Sequence, residues 1–168
     1  MYTKLKIFDF DGTLIDTPKP TYFTKNEYAK YHGLEEWPFL GWYGRPETLD
    51  MSVWDMNTIP QTISDYNKVM GDPNTLTIML TGRVKKLKPQ VISILDKHGL
   101  KFDDYLFNKG GETSLDKMKQ IEGLLKEYPT INDVEMWDDR DEHIPTFQKW
   151  GKTLKPIKFK INHVKYDG

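Results

Sequence analysis

Hydrophobic positions along the chain fall into two alternating periods. Leu5, Ile7, Phe8 and Phe10 form a short run closed by Gly12, which predicts a buried strand that stops abruptly. Leu76 to Leu80 and Val134 to Trp137 are further apolar runs of strand length, and Asp104 to Asn108 reads as a shorter strand. Lys155 to Val164 alternates well enough for a final edge strand, whose lysines would guard that edge. Between these runs the spacing turns helical. Helices are predicted over Tyr22 to Tyr31, ending near Gly33, and over Pro60 to Val69, with Pro60 suited to a first turn and Gly71 to a stop. A third runs from about Lys88 to His98, with Leu87, Val91, Ile94, Leu95 and His98 on one stripe and Gly99 as its stop. A fourth runs from Thr113 to about Tyr128, where Thr113 and Asp116 have the spacing of a capping box and Met118, Ile121, Leu124, Leu125 and Tyr128 form the buried stripe. A fifth spans about Asp141, an N-cap candidate, to Trp150. Strands alternating with helices predict an α/β fold with a doubly wound, mainly parallel sheet, its site at the carboxyl edge.

Residues 16 to 74 are the least regular part. Trp37-Pro38-Phe39-Leu40-Gly41-Trp42-Tyr43-Gly44-Arg45-Pro46 is aromatic and rich in breakers, neither helix nor strand. Two accounts remain open for it: a satellite core under a loop, since large aromatics bury more often than they bind, or a lid whose rings stack on a substrate base. The whole of 1–168 is expected to form one domain, with 16–74 as a small cap or lid insert plus a first core helix.

Composition narrows the class. There is no cysteine, so disulfides and thiolate metal sites are excluded. No apolar run is long enough to cross a bilayer and no leader pattern opens the sequence, so a cytoplasmic protein without membrane contact or an obligate protein partner is expected. The net charge of −1 excludes a global basic field. The charge is uneven, with an acidic stretch over Asp133 to Glu142 and six lysines between Lys149 and Lys165.

The candidate chemistry sits at the ends of the predicted strands. Asp9 and Asp11 close the first; side chains two apart on a strand share a face, so both can address one pocket. Like charges that close call for a cation, and Mg2+ held by carboxylates and a substrate phosphate answers this. The second strand ends in Thr81-Gly82-Arg83, a hydroxyl, exposed backbone N–H groups and a planar cationic fork suited to an anion. Lys117 lies in the first turn of its helix, where a cation is disfavoured unless an anion shares the terminus; Lys119 is the alternative. Asp138 and Asp139 end the last buried strand. His98 reads as a core-edge residue, and His143 as surface rather than a supporting group of the site.

Ile7-Phe8-Asp9-Phe10-Asp11-Gly12-Thr13-Leu14 resembles the first motif of the haloacid dehalogenase (HAD) superfamily, mostly phosphotransferases that use an aspartate nucleophile and Mg2+. Thr81, Lys117 and Asp138-Asp139 resemble its second, third and fourth motifs, in family order along the whole chain. With the Trp42 region, Thr81-Gly82-Arg83 and Asp138-Asp139-Arg140 through His143 to Phe147, the chain is most similar to the Swiss Army knife RNA-repair-like HAD group and to the phosphatase domain of phage polynucleotide kinase-phosphatases. Asp116 departs from the pattern, since an aromatic precedes the lysine there. The resemblance implies phosphoryl transfer through an aspartyl-phosphate: Asp9 as nucleophile, Asp11 as acid and base, Mg2+ held by Asp9, the Asp11 carbonyl and Asp138 or Asp139, and the phosphoryl oxygens met by Thr81, Gly82, Arg83 and Lys117. The expected partner is a phosphomonoester substrate. The short insert leaves room for a polymer, and Arg83, Lys85, Lys86 and Lys88 can follow a nucleic-acid backbone, so nucleic-acid 3′-phosphate ends are expected. Free nucleotides or another small phosphomonoester are the alternative, and a non-catalytic phosphate-binding scaffold is the second.

Overall fold

The computed structural model describes residues 1–167. Five strands, β1 (Lys4–Phe8), β2 (Thr75–Val84), β3 (Asp104–Asn108), β4 (Asp133–Asp138) and β5 (Lys158–His163), form one sheet in the order β3-β2-β1-β4-β5. Every neighbouring pair is parallel. Five helices accompany them: α1 (Tyr22–Tyr31), α2 (Pro60–Val69), α3 (Lys88–Lys97), α4 (Thr113–Glu127) and α5 (Ile144–Gly151). Chain order runs outward from β1 to β3 on one side and then from β4 to β5 on the other. The winding therefore reverses between β1 and β4, where an open parallel sheet leaves a crevice at its carboxyl ends.

Two apolar layers hold the sheet. Period-two alternation sends Phe8, Met79 and Trp137 to one face, where they meet Ile59, Tyr66, Val91, Ile94 and Leu95 at and around α2 and α3. Ile7, Ile78, Leu80, Val134 and Met136 face the other way, against Met118, Ile121 and Leu124 of α4 and Phe147 of α5. Phe8 and Trp137 stack with centroids 4.2 Å apart, fixing β1 against β4 just below the crevice. The aromatic insert belongs to the first layer: Tyr28, Trp42 and Trp54 are buried and join its core.

The boundaries differ from the sequence reading in four places. β1 stops at Phe8 rather than running through Phe10, because the backbone folds back at once: the N–H groups of Thr13, Leu14 and Ile15 all point to the Phe10 carbonyl. β2 continues through Thr81-Gly82-Arg83 to Val84 after a register irregularity against β3, so the phosphate-loop residues lie on a strand extension and not in a turn. α4 is capped by Glu112, not Thr113: its carboxylate accepts from the Ser114 and Leu115 N–H groups, while Asp116 is buried and accepts from the Lys109 N–H and Gln120 Nε2. Gly110 and Gly111, both at positive φ, let the chain enter the helix at that angle. α5 starts at Ile144 with Pro145 in its first turn, so Asp141 is not its cap.

The cap carries a pH dependence. Hydrogen bonds from the Ser114 hydroxyl, the Ser114 N–H and the Leu115 N–H hold the Glu112 carboxyl down at about 2, from an ordinary 4.5. A folded value below the unfolded one stabilises the fold above the unfolded value, and this is lost as pH falls through the folded value. Glu112→Ala should therefore cost about 1 kcal/mol at neutral pH. In urea titrations the gap between variant and parent should narrow as pH drops from 4.5 toward 2; a gap constant over that range would place the cap elsewhere.

Candidate active site

Each element ending at the crevice delivers one charged group. Asp9 follows β1 directly, its N–H bonded to the Trp137 carbonyl of β4, so its carboxyl is set at the strand-order reversal. Asp138 ends β4 and is fully buried, with Oδ1 accepting from the Arg140 N–H. Lys117, one turn into α4, is 2% exposed and donates from Nζ to Asp9 Oδ1 at 3.0 Å and to Asp138 Oδ2 at 2.8 Å. Lys119 is exposed. The Thr13 hydroxyl reaches Asp9 Oδ2 at 3.2 Å and Asp139 Oδ1 at 3.4 Å.

Carboxylate oxygens of Asp9, Asp138 and Asp139 lie within 4.8 Å of one another. Three carboxylates against one lysine leave two negative charges uncompensated. Burial pushes the Asp9 carboxyl well above its ordinary range, and Asp138 and Asp139 push it further against the pull of Lys117. Burial also raises Asp139. Burial opposes the charge on Lys117, but Asp138 and Asp9 outweigh it and hold the ammonium above its usual value. At Asp138 the same lysine prevails over burial and draws the carboxyl down. Hard oxygen donors with a two-charge deficit fit a divalent cation of the Mg2+ type.

Asp11 is arranged differently. Its Oδ1 accepts from the Thr17 hydroxyl at 2.7 Å and from Arg83 Nη2 at 2.6 Å, while Arg83 Nε donates to Oδ2 at 2.9 Å. Because β1 ends at Phe8, strand alternation does not set the direction of Asp11; the turn and Arg83 do. Arg83 Nη1 is used as well, donating to the Tyr43 carbonyl at 3.0 Å and the Thr48 hydroxyl at 2.8 Å. The fork expected to meet phosphate oxygens is thus buried and committed to Asp11 and the insert. Thr81 is fully buried, its hydroxyl accepting from the Arg83 N–H.

These groups enclose a cavity of about 110 Å3 lined by Asp9, Asp11, Gly82, Arg83, Lys117 and Asp139, with Tyr43, Thr113 and Arg140 also on its wall. By volume it holds roughly four waters or one phosphoryl group. A larger groove of about 1020 Å3 runs along β5, but its lining has no carboxylate or hydroxyl to carry hydrolytic chemistry. Gly82 permits a close approach to α4: a Cβ there would come within 2.8 Å of Thr113 Cγ2.

Trp42 is 5% exposed and its Nε1 donates to the Pro18 carbonyl, so it builds the core and is no stacking lid. Its neighbour Tyr43 is the exposed ring at the cavity mouth. His143 is 7% exposed, not a surface residue, because the N-cap position of α5 seats it against Phe147. Sequence reasoning missed Thr13, which stood inside the first motif and could have been read from it, and left Tyr43 unseparated from the aromatic run around Trp42.

A doubly wound sheet with acidic pairs at the ends of β1 and β4 and a buried lysine between them is the architecture of the HAD class. The chain belongs to the HAD domain family 1 of Swiss Army Knife RNA repair proteins, whose model matches residues 17–167. Uncharacterized protein YMR265C of Saccharomyces cerevisiae is 28% identical over 174 residues, covering 90% of this chain and 38% of that protein. Among solved structures, the fold is shared with a chain of the Pnkp1/Rnl/Hen1 RNA repair complex (TM-score 0.59, 14% identity, 98% of this chain and 43% of that one). A second structure of the Pnkp1/Rnl/Hen1 complex gives a TM-score of 0.58 at 15% identity, over 99% of this chain and 47% of that one. The chain spans less than half the length of each of these relatives.

Arg83→Met removes the cation facing Asp11 and the donor that the Tyr43 carbonyl and Thr48 hydroxyl accept from, though Thr48 keeps its own bond to the Arg45 carbonyl. Loss of one partner of a buried pair costs about 3–5 kcal/mol, and partial hydration of Asp11 keeps this case near 3. Urea denaturation should show that loss, and a change below about 1 kcal/mol would mean that the pair does not hold the insert in place.

Proposed function

We propose that the protein is a Mg2+-dependent phosphomonoesterase acting through an aspartyl-phosphate on Asp9, with nucleic-acid 3′-phosphate ends as its substrate. The observation that carries this reading is the buried three-carboxylate, one-lysine cluster around Asp9, whose charge deficit matches a divalent cation. Asp9, Asp139 and the Asp11 carbonyl would hold Mg2+, with Asp138 anchoring Lys117. When bound, the ion lowers the repulsion between carboxylates and phosphate and stabilises charge on the phosphoryl oxygens.

In the first step an Asp9 carboxylate oxygen forms a bond to phosphorus as the bond to the leaving oxygen breaks, and that oxygen takes a proton from Asp11, which must first bind one from solvent on Oδ2 in place of the Arg83 Nε hydrogen bond. In the second, water attacks phosphorus, Asp11 takes its proton, and the P–O bond to Asp9 breaks to release phosphate. Lys117 and the N–H groups around Gly82 meet the equatorial oxygens. Arg83 acts as a positioning residue on Asp11, and Thr81 works from beneath through the Arg83 backbone. A cavity sized for one phosphoryl group leaves the rest of the substrate outside, which suits a polymer end. The family description and the RNA-repair complexes sharing the fold point to the same substrate class. Residues 1–168 would work as one domain, with 16–74 as the insert that holds Asp11 through Arg83 rather than a cap over the substrate.

Asp9→Asn should abolish Mg2+-dependent hydrolysis of a generic aryl phosphate while circular dichroism stays that of the parent; more than about a thousandth of the parent rate would put the nucleophile elsewhere. Lys117→Ala should lose on the order of a hundredfold or more, with Lys119→Ala near the parent. Chelation of Mg2+ should stop the parent.

For the substrate, the specificity constant for a 3′-phosphorylated oligonucleotide is compared with that for mononucleotides at several salt concentrations. The oligonucleotide should be favoured, and its advantage should shrink as salt rises. Equal constants would make this a small-molecule phosphatase.

A further inference from the structure

Charge around the cavity mouth is divided between its two sides. On the β4–β5 side, the cleft beyond Asp139 of the carboxylate cluster is lined by Asp16, Asp141 and Asp167 against Lys19 and Lys165, an acidic excess of one outside that cluster. On the β2–β3 side the balance is reversed. The extension of β2 carries the chain through Val84 into Lys85, Lys86 and Lys88, all exposed. Val84 pairs with Asn108 of β3, so Lys85 and Lys109, the residues that follow each, leave the sheet from the ends of neighbouring strands. Lys109 is separated from the other three by more than twenty positions, and only the ladder gathers the four.

None of these four lysines makes an ion pair among the described residues, whereas Lys6, Lys68, Lys101, Lys117 and Lys160 do. The nearby acids have other tasks. Glu112 caps α4, and Asp116 is buried on the Lys109 N–H. Beyond α3, Glu47 is paired with Arg45, and Asp50 accepts from the Ser52 hydroxyl. Tyr43 lines the cavity, its carbonyl held by Arg83, two residues before Lys85, and its ring exposed and 5.3 Å from the Arg83 guanidinium carbon.

We propose that Lys85, Lys86, Lys88 and Lys109 form a subsite for the phosphate backbone of a single-stranded nucleic acid, so that the chain whose terminal phosphate enters the cavity leaves across Tyr43 toward β2 and β3, away from β5. This rests on the phosphomonoesterase reading and its polymer substrate, and adds the route. An anionic chain leaving the other way would cross an acidic cleft. The subsite needs no base-edge recognition, since lysines on phosphates position a strand without reading it.

The test uses the full chain and two substrates, a 3′-phosphorylated oligonucleotide and an aryl phosphate that reports only on the cavity. The variants are Lys85→Ala/Lys86→Ala and Lys109→Ala, with Lys155→Ala/Lys158→Ala on the distant β5 groove as the matched control. The specificity constant of the flank double variant for the oligonucleotide should fall on the order of tenfold at low salt, and the slope of its logarithm against log salt should become shallower by about 0.7 per lysine removed. Its constant for the aryl phosphate should stay within about twofold, as should both constants of the β5 control. If the parent prefers the oligonucleotide but the flank variants keep that preference, or the β5 control loses as much, the route is wrong and the substrate reading stands. If the parent shows no preference for the oligonucleotide, both fall together.

Discussion

Lys117 is the group on which the rest of the site depends. It is buried and its ammonium joins a carboxylate from β1 to one from β4 across the line where the winding reverses. Taking these three charges out of water costs several kcal/mol each, a cost met only if the geometry is held. Three features hold it: the Asp9 N–H on the Trp137 carbonyl, the Phe8–Trp137 stack beneath, and the packing of Met118 and Ile121 from the same helix into the sheet. The core is therefore also the jig of the cluster. A lysine that only solvated a helix terminus would need none of this; its burial makes sense only with the carboxylates it faces.

The remaining charge is handled by keeping two systems apart. Asp9, Asp138 and Asp139 share Lys117 and stay two charges short. Asp11, though it faces the same cavity, has its own cation in Arg83. That separation lets neighbouring acids differ in character: one set is poised for a cation, while one carboxylate is already paired and oriented. The extension of β2 past Leu80 makes it possible, since a strand ending at Thr81 could not bring the Arg83 fork back over Asp11. The same fork grips the Tyr43 carbonyl and Thr48, so the insert is stitched to the catalytic strand through a single side chain.

The legible and illegible parts of the sequence divide along this line. Local signals read local geometry: breakers and caps bounded the helices over Tyr22–Tyr31 and Pro60–Val69, and periodicity found the stripe that turns Lys117 inward. What they misread were side-chain pairings that no local pattern marks, some of them distant. Arg83 looked like a free anion-binding fork because its true partner lies 72 positions away and neither residue's neighbours reveal the pairing. Thr113, at capping-box spacing from Asp116, lost the cap to Glu112 because a longer side chain one residue earlier can bend to the Ser114 and Leu115 N–H groups, while Asp116 is drawn to Lys109 and Gln120. His143 sits in a run of charges that reads as solvated, yet the turn before α5 folds it inward against Phe147.

The size of the cavity has a consequence for specificity. A partly open pocket of about 110 Å3 is small for a whole substrate, so on the proposed reading much of the discrimination between phosphomonoesters would arise outside it. Of the insert's large rings, Tyr28, Trp42 and Trp54 are buried in the same apolar layer as Phe8 and Met79, and among the exposed ones, Tyr22, Phe23, Tyr31 and Tyr43, it is Tyr43 that lines the cavity. What remains at the mouth is one exposed tyrosine, the exposed Arg140, and a surface whose charge changes sign from one side of the sheet to the other. Such a rim distinguishes substrates by the charge and direction of what trails behind the phosphate, not by its shape. On the proposed reading that would favour long anionic chains over compact metabolites, and a net charge near zero is no obstacle, because the selecting field would be a local gradient across the crevice and not a property of the whole molecule.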